Sequence, residues 1–170
     1  MCGIYGCIGP NASGMVLEGL RKLEYRGYDS AGIAALFPNS LERDEIITEK
    51  TVGYVSNLVS KVSSKFDGAN ISIGHTRWAT HGSVNFNNAH PHNNQDGNIS
   101  LVHNGIIENS SFLSNKLNEL GYSVESETDT EVIVHLLDYE LKLQKNKKNH
   151  LKAFENVISQ LTGSLSLIHI

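Results

Sequence analysis

Apolar residues recur at helical spacing in several stretches of the chain. Ser13 is placed to cap a helix whose face carries Val16, Leu17, Leu20 and Leu23. Val55, Leu58, Val59, Val62 and Phe66 form a second stripe. Phe112, Leu113, Leu117 and Leu120 form a third, with Gly121 as its stop signal. Thr128-Asp129-Thr130-Glu131 reads as a capping box opening a fourth helix through Val132, Ile133, Leu136, Leu137 and Leu141. That helix runs into Lys142, Lys145, Lys147 and Lys148, a charge run that suits a solvated helix end. Leu151, Phe154, Val157, Ile158 and Leu161 make a fifth stripe.

Short apolar runs lie between these helices, at residues 4–8, 33–37, 46–52, 71–73, 99–102 and 164–170. They read as strands, so the chain is mixed helix and sheet with strands at both ends. Leu165, Leu167, Ile168 and Ile170 form an apolar strand at the last residues given. An open apolar edge invites pairing, so more sheet is expected to follow in the intact protein. Neither an internal repeat nor a Pro/Gly/Ser linker divides the chain. An Asn-rich stretch (Asn85, Asn87, Asn88, Asn93, Asn94, Asn98) reads as a polar loop.

The length of 170 residues suits one domain with a real core. An apolar fraction of 39% argues against disorder. The net charge of −4 argues against a nucleic-acid surface, which needs a basic stripe. No apolar run approaches the roughly 20 residues of a membrane span. Two cysteines, Cys2 and Cys7, make no disulfide framework and point to a reducing compartment. Met1-Cys2-Gly3-Ile4 has no signal-peptide pattern, and Cys2 stands where myristoylation would need a glycine, so the reading is cytoplasmic.

A small second residue allows Met1 to be trimmed, leaving Cys2 first. A thiol with an ordinary pKa of about 8.5 and an α-amine of about 7.7–8.0 then share one residue. The amine can take the thiol proton and later protonate a leaving group. The same Cys2 is also compatible with an ordinary small buried side chain.

Three further segments carry chemistry. Gly74-His75-Thr76-Arg77-Trp78-Ala79-Thr80-His81-Gly82 follows a predicted strand; Arg77 offers a fork for a carboxylate, and Trp78 can close over a pocket. The histidines His75, His81, His90 and His92 fit hydrogen bonding in a polar loop, and their spacing matches no standard zinc pattern. In His103-Asn104-Gly105-Ile106-Ile107-Glu108-Asn109, the Asn104 amide and the Gly105 N–H can form an oxyanion hole or a plain Asn-Gly turn. In the capping-box segment, Asp129 can cap the helix or hold an ammonium group. Arg77 and Asp129 would then bracket the two charges of an amino acid.

Taken with Leu23-Glu24-Tyr25-Arg26-Gly27-Tyr28-Asp29-Ser30-Ala31-Gly32 and Ala89-His90-Pro91-His92, these runs occur in an order that resembles one family. It is the glutaminase domain of glutamine–fructose-6-phosphate aminotransferase (isomerising; glucosamine-6-phosphate synthase), among the class II, N-terminal-nucleophile amidotransferases. The resemblance spans the whole chain. Amidophosphoribosyltransferases resemble Tyr28-Asp29-Ser30 and Trp78-Ala79-Thr80-His81 less well.

The resemblance implies an N-terminal-nucleophile αββα four-layer sandwich, α+β in class, with the nucleophile opening a central strand. Residues 1–170 would be the N-terminal part of the glutaminase domain, and the sugar isomerase domains that bind fructose 6-phosphate are absent. It implies that Cys2 attacks the side-chain amide of L-glutamine, forming a thioester that water resolves to glutamate. Asn104 and Gly105 match the oxyanion hole. Arg77 and Asp129 match the holders of the glutamine carboxylate and amine. Trp78, Thr80 and His81 match the loop over bound glutamine, Trp78 also matching the gate of an ammonia channel. Arg26 and Gly27 match a segment beside the nucleophile. No metal or organic cofactor is implied, and dimerisation is expected only with the missing domains. A truncated glutamine-binding or regulatory paralogue, or the glutaminase domain of another class II amidotransferase, remains an alternative.

Overall fold

The computed structural model describes residues 2–37, 45–62, 64–80, 82–144 and 149–170. The predicted site residue His81 and Lys145, Lys147 and Lys148 of the predicted charge run lie outside the described residues.

Strands β1 (Gly3–Ile8), β2 (Ser30–Phe37), β3 (Glu45–Val52) and β4 (Ile71–Arg77) form an antiparallel sheet in the order β1-β4-β2-β3. Strands β5 (His92–Asn93), β6 (Ser100–His103) and β9 (Leu167–His169) form a second sheet, ordered β5-β6-β9. A short pair, β7 (Ile106–Ile107) with β8 (Gly163–Ser164), follows the second sheet's central strand. Helices α1 (Ala12–Leu23) and α2 (Val55–Lys61) cover the outer face of the first sheet. Helices α3 (Ser110–Glu119), α4 (Glu131–Leu143) and α5 (His150–Gln160) pack together over the second. The sheets face each other through β4 with β6 and β1 with β9. The result is the four-layer αββα sandwich that the resemblance implies.

The alternation of side chains along a strand explains the three cores. In β2, Ala31, Ile33 and Ala35 point to α1 and α2, joining Val16, Leu20, Leu58 and Phe66. Ala34 points the other way, to Ile73 and Val102 between the sheets. In β6, Leu101 joins the α3–α5 core while the adjacent Val102 faces the first sheet. β2 is covered on both faces and reads as a nearly continuous run of small and apolar residues. β3 stands at a sheet edge and carries Glu45, Glu49 and Lys50, which discourages pairing with another chain.

Several expectations are revised. β4 runs to Arg77, four residues past the predicted 71–73, because His75, Thr76 and Arg77 continue the ladder against Gly32, Ala31 and Ser30. β1 has only β4 beside it among the described residues, so Cys2 precedes an edge strand here and not a central one. Helix α1 begins at Ala12 with Asn11 in the left-handed conformation (φ 58°). Ser13 is not its cap but is buried in the first turn, its hydroxyl 3.1 Å from that of Ser72. The predicted stripe through Phe66 is a helix only to Lys61, and Phe66 reaches the core from a separate 3₁₀ turn. Phe112 is largely exposed; Leu113 and Leu117 carry the buried face of α3. The capping box at residues 128–131 does not close. Thr130 makes no side-chain cap bond, and the Glu131 carboxylate turns back to the backbone N–H groups of Glu125 and Ser126. The run at 164–170 is two short strands in different sheets. No helix among the described residues is long and apolar enough to cross a membrane.

Candidate active site

The site is assembled at one end of the sandwich. Cys2 immediately precedes β1, whose register places Gly3 opposite Thr76 of β4. That pairing brings Cys2 beside the residues that leave β4. The Trp78 N–H donates to Cys2 Sγ at 3.4 Å, and the Trp78 carbonyl lies 3.7 Å from the same sulfur. The thiol is therefore held against the backbone of the predicted loop.

Asn104 arrives from the end of β6 in the opposite sheet. Its Nδ2 donates to the Cys2 carbonyl at 2.9 Å, and its backbone N–H donates to the Ser166 carbonyl at 2.8 Å. The amide thus sits within one residue of the thiol across a sequence gap of 102 residues. Gly105 follows where the chain crosses β8. A Cβ at this position would collide with the Ser164 carbonyl and lie 2.6 Å from His103 Nε2, so only glycine fits.

Arg26 Nε donates to the Cys2 carbonyl at 3.3 Å. Gly27 lets the chain pass directly over the Arg77–Trp78 peptide, since a Cβ would lie 2.6 Å from the Arg77 carbonyl carbon. Arg77 is buried, and its guanidinium donates to the Ser83 carbonyl at 3.0 Å and weakly to Gly82. Burial disfavours its charge, and the surrounding Cys2, Asp29, Glu127 and Asp129 favour it. Asp129 accepts from the Ile107 N–H at 2.7 Å through Oδ2 and from the Thr130 hydroxyl at 3.4 Å through Oδ1. The Trp78 ring is partly exposed and meets Tyr28 edge-on, centroids 5.4 Å apart.

Cys2, Arg77, Trp78, Thr80, Gly105 and Asp129 all line one cavity of about 60 Å³, together with His90, His103, Ile106, Thr128 and Thr130. A larger groove of about 540 Å³ adjoins it, and Ile106, Thr128 and Asp129 line both. The inner cavity has room for a few waters, and the adjoining groove is several times larger. The arrangement offers a thiol, a guanidinium and a carboxylate around one space, with the Asn104 amide on the thiol residue's carbonyl.

Sequence reasoning missed the residues that fix the loop. Asp29 accepts from the Ala79 N–H at 2.8 Å, and the Glu127 carboxylate accepts from the Ser83 N–H and Asn88 Nδ2, both at 2.7 Å. Asn88 is buried and also donates to the Ser83 carbonyl at 2.9 Å, so this part of the Asn-rich stretch is scaffold and not a free polar loop. The histidines are misplaced by the loop reading too. His75, His90 and His92 are buried in the layer between the sheets. Burial holds His75 and His92 at about 3, so both are neutral at neutral pH. Asp29 and His90 stand in the motifs quoted above, but only long-range contacts reveal what they touch.

Comparison with known proteins gives the family and the fold. Residues 75–170 match the family model described as the glutamine amidotransferase domain. Over 169 residues the chain is 47% identical to the glutamine–fructose-6-phosphate aminotransferase [isomerizing] of Pyrococcus horikoshii, covering 99% of this chain and 27% of that protein. It is 49% identical over 170 residues to the protein of the same name from Helicobacter pylori, again 99% and 27%. The chain thus spans about a quarter of the length of these curated relatives. Among solved structures, the glutamine phosphoribosylpyrophosphate amidotransferase from B. subtilis, complexed with ADP and GMP, superposes with a TM-score of 0.80 at 24% identity. That match covers all of this chain and 35% of the other, and it shows the shared fold. By the matched domain model and the αββα architecture together, the chain belongs to the glutamine amidotransferase domain family.

Proposed function

We propose that this chain hydrolyses L-glutamine to glutamate and ammonia, with Cys2 as the nucleophile once Met1 has been removed. The observation that carries the reading is that Cys2, whose carbonyl accepts from Asn104 Nδ2 at 2.9 Å, lines one cavity with Arg77, Gly105 and Asp129.

The chemistry follows from the residue types. The free α-amine takes the Cys2 proton, and the thiolate attacks the side-chain amide carbon of glutamine. Charge develops on the amide oxygen as the tetrahedral intermediate forms. The Asn104 amide and the Gly105 N–H are the donors placed for it, and such preorganised donors stabilise the oxyanion more than the ground-state carbonyl. The amine, now an ammonium, protonates the leaving nitrogen, ammonia departs and a thioester remains. Water resolves the thioester. Arg77 pairs with the α-carboxylate of the substrate and Asp129 with its α-ammonium, so an L-amino acid is read at both charges. Trp78 and Thr80 form the loop over it, a role the family resemblance extends to His81, with Arg26 and Gly27 supporting the nucleophile's backbone.

Residues 1–170 form the N-terminal part of the glutaminase domain of a longer protein. There, sugar isomerase domains receive the ammonia and convert fructose 6-phosphate to glucosamine 6-phosphate in the cytoplasm. Trp78 gates the path between the two reactions. The names and lengths of the relatives support this assignment.

The test is glutamate release from glutamine, alongside mass spectrometry after exposure to a glutamine-like diazoketone. The processed chain gains one adduct on Cys2, and Cys2→Ala or a variant retaining Met1 releases no glutamate. Full activity in both variants sinks the assignment of the nucleophile.

A further inference from the structure

Four histidines meet between the sheets at the Cys2 end: His75 on β4, His90, His92 on β5 and His103 on β6. Three of them bond to protein. His75 Nε2 lies 3.1 Å from the His103 carbonyl, His92 Nε2 lies 2.9 Å from the Thr128 hydroxyl, and His103 Nδ1 lies 3.2 Å from the Thr130 hydroxyl. His90 differs. It is 5% exposed, and neither of its ring nitrogens has a protein partner among the described residues.

The ring faces and edge of His90 are nevertheless fixed. It stacks on His75 with centroids 4.1 Å apart at 16° and meets His92 edge-on at 4.6 Å. Its backbone is pinned as well, because its carbonyl sits where a Cβ on residue 32 would be, so Gly32 leaves the space it occupies. An imidazole held this firmly with both nitrogens unpaired costs about 1–3 kcal/mol for each unsatisfied group, and buried polar groups in folded proteins find partners. The protein side of that partnership is visible: His90 lines the same cavity as Cys2. The cavity, about 60 Å³ and edged by Thr80, Thr128 and Thr130, exceeds the ~10–15 Å³ that one water needs and is polar enough to hold it. Burial, followed by the neighbouring His75, His92 and Lys50, keeps His90 neutral far below the usual histidine range. A neutral ring offers one acceptor and one donor nitrogen.

We propose that His90 holds the water that hydrolyses the Cys2 thioester, an inference that rests on the glutaminase reading. The acceptor nitrogen of His90 receives one water O–H, fixing the water in the cavity beside the acyl group. The water oxygen bonds to the acyl carbon as the bond from that carbon to Cys2 Sγ breaks. One water proton passes to the Cys2 α-amine and from there to the departing thiolate, and the other leaves with the new γ-carboxyl group and ionises to solvent, so the products are glutamate, the free thiol and one proton. His90 begins and ends neutral; it positions the water and is not the base. Formation of the thioester consumes no water, so loss of His90 slows only the second half of the cycle.

The experiment uses the full chain and a chromogenic γ-glutamyl anilide, whose anilide is released when the thioester forms. His90→Phe keeps the ring and its stacking and removes both nitrogens. It retains a burst of anilide at the wild-type rate, while the steady state falls about 10–100-fold, the usual effect of losing reactant positioning. The acyl-enzyme mass accumulates on Cys2, and hydroxylamine, a nucleophile that His90 need not place, intercepts it at the wild-type rate. Equal slowing of burst and steady state, or no slowing of either, overturns the proposal. If His90→Phe does not fold, His90→Asn displaces the acceptor and is read the same way, an unchanged ratio of burst to steady-state rate overturning it. A wild-type chain that never acquires the acyl mass on Cys2 overturns the glutaminase reading itself. An acyl-enzyme that turns over normally in the variants overturns the role of His90 alone.

Discussion

Acidification to pH 5.5 should unfold this protein far more readily than its carboxylates alone would allow. His75 and His92 are held at about 3, and His90 well below its ordinary 6.5, first of all by burial. A native state that refuses a proton which the unfolded chain accepts loses stability as pH falls below the unfolded pKa. Each such histidine contributes stability that is complete above about 6.5 and declines as pH falls from there toward its folded value. From pH 7.5 to 5.5 the loss is about 1.4 kcal/mol per histidine, hence about 4 kcal/mol for the three together. The size depends on the unfolded pKa and only requires the folded values to lie well below 5.5. Lys50 and Glu131 leave this window clear. Lys50, lowered to about 8 by burial, is protonated in both states below that value. Glu131 is disfavoured by burial, but hydrogen bonds from His135 and Ser126 outweigh this and hold it at about 2. Its contribution is present above about 4.5 and is lost only as pH falls toward 2. His103 and His169 are also lowered, so they act in the same direction. Urea titrations at pH 7.5, 6.5 and 5.5 read the change directly from the midpoint at constant slope. For a domain of ordinary stability, 4 kcal/mol is a large fraction of the total. A free energy of unfolding that agrees within about 0.5 kcal/mol at the two extremes would refute neutral burial of these rings.

Two further perturbations separate catalysis from folding. Asn104→Ala removes the proposed oxyanion donor and should lower kcat for glutamine hydrolysis about 10²–10³-fold. Losing its bond to the Cys2 carbonyl should destabilise the fold by only about 1 kcal/mol; glutamate release and a denaturation curve check both, and unchanged kcat excludes the role. Gly32→Ala drives a methyl into the His90 carbonyl on a central strand. It should cost about 3 kcal/mol in the urea midpoint, the upper part of the range for overpacking, and a change below about 0.5 kcal/mol would show that the 89–91 segment is free to shift.

Much of the architecture was legible because its driving force is local and periodic. Strand and helix periodicity exposed β1, β2, β3, α1, α4 and α5, since each element must turn an apolar side to a core. The errors arose where two local signals competed or where tertiary contacts prevailed. A capping-box pattern at residues 128–131 was recognisable, yet Glu131 bonds to the preceding loop because that loop's N–H groups lie closer to hand than the cap. Phe112 fits helical spacing as well as Leu113 does, and only the position of α4 decides which of them is buried. The polar runs after residue 73 gave no strand signal because a strand between two packed layers can carry His75 and Thr76 on ladder bonds alone.

From the order of residues alone came the inventory: a thiol at residue 2, an Asn-Gly pair, an Arg-Trp segment and an Asp at the start of a helix, in an arrangement that points to a family. Those are matters of covalent chemistry and local patterning, and they need no folded chain to be read. Folding was required to show that Cys2 and Asn104 touch, that Asp29 and Glu127 tether the Arg77 loop, and that His90 brings two unpaired nitrogens to the cavity that Cys2 lines. Such pairings depend on sheet register and on close backbone approach at Gly32 and Gly105, which arise only when distant segments pack against one another.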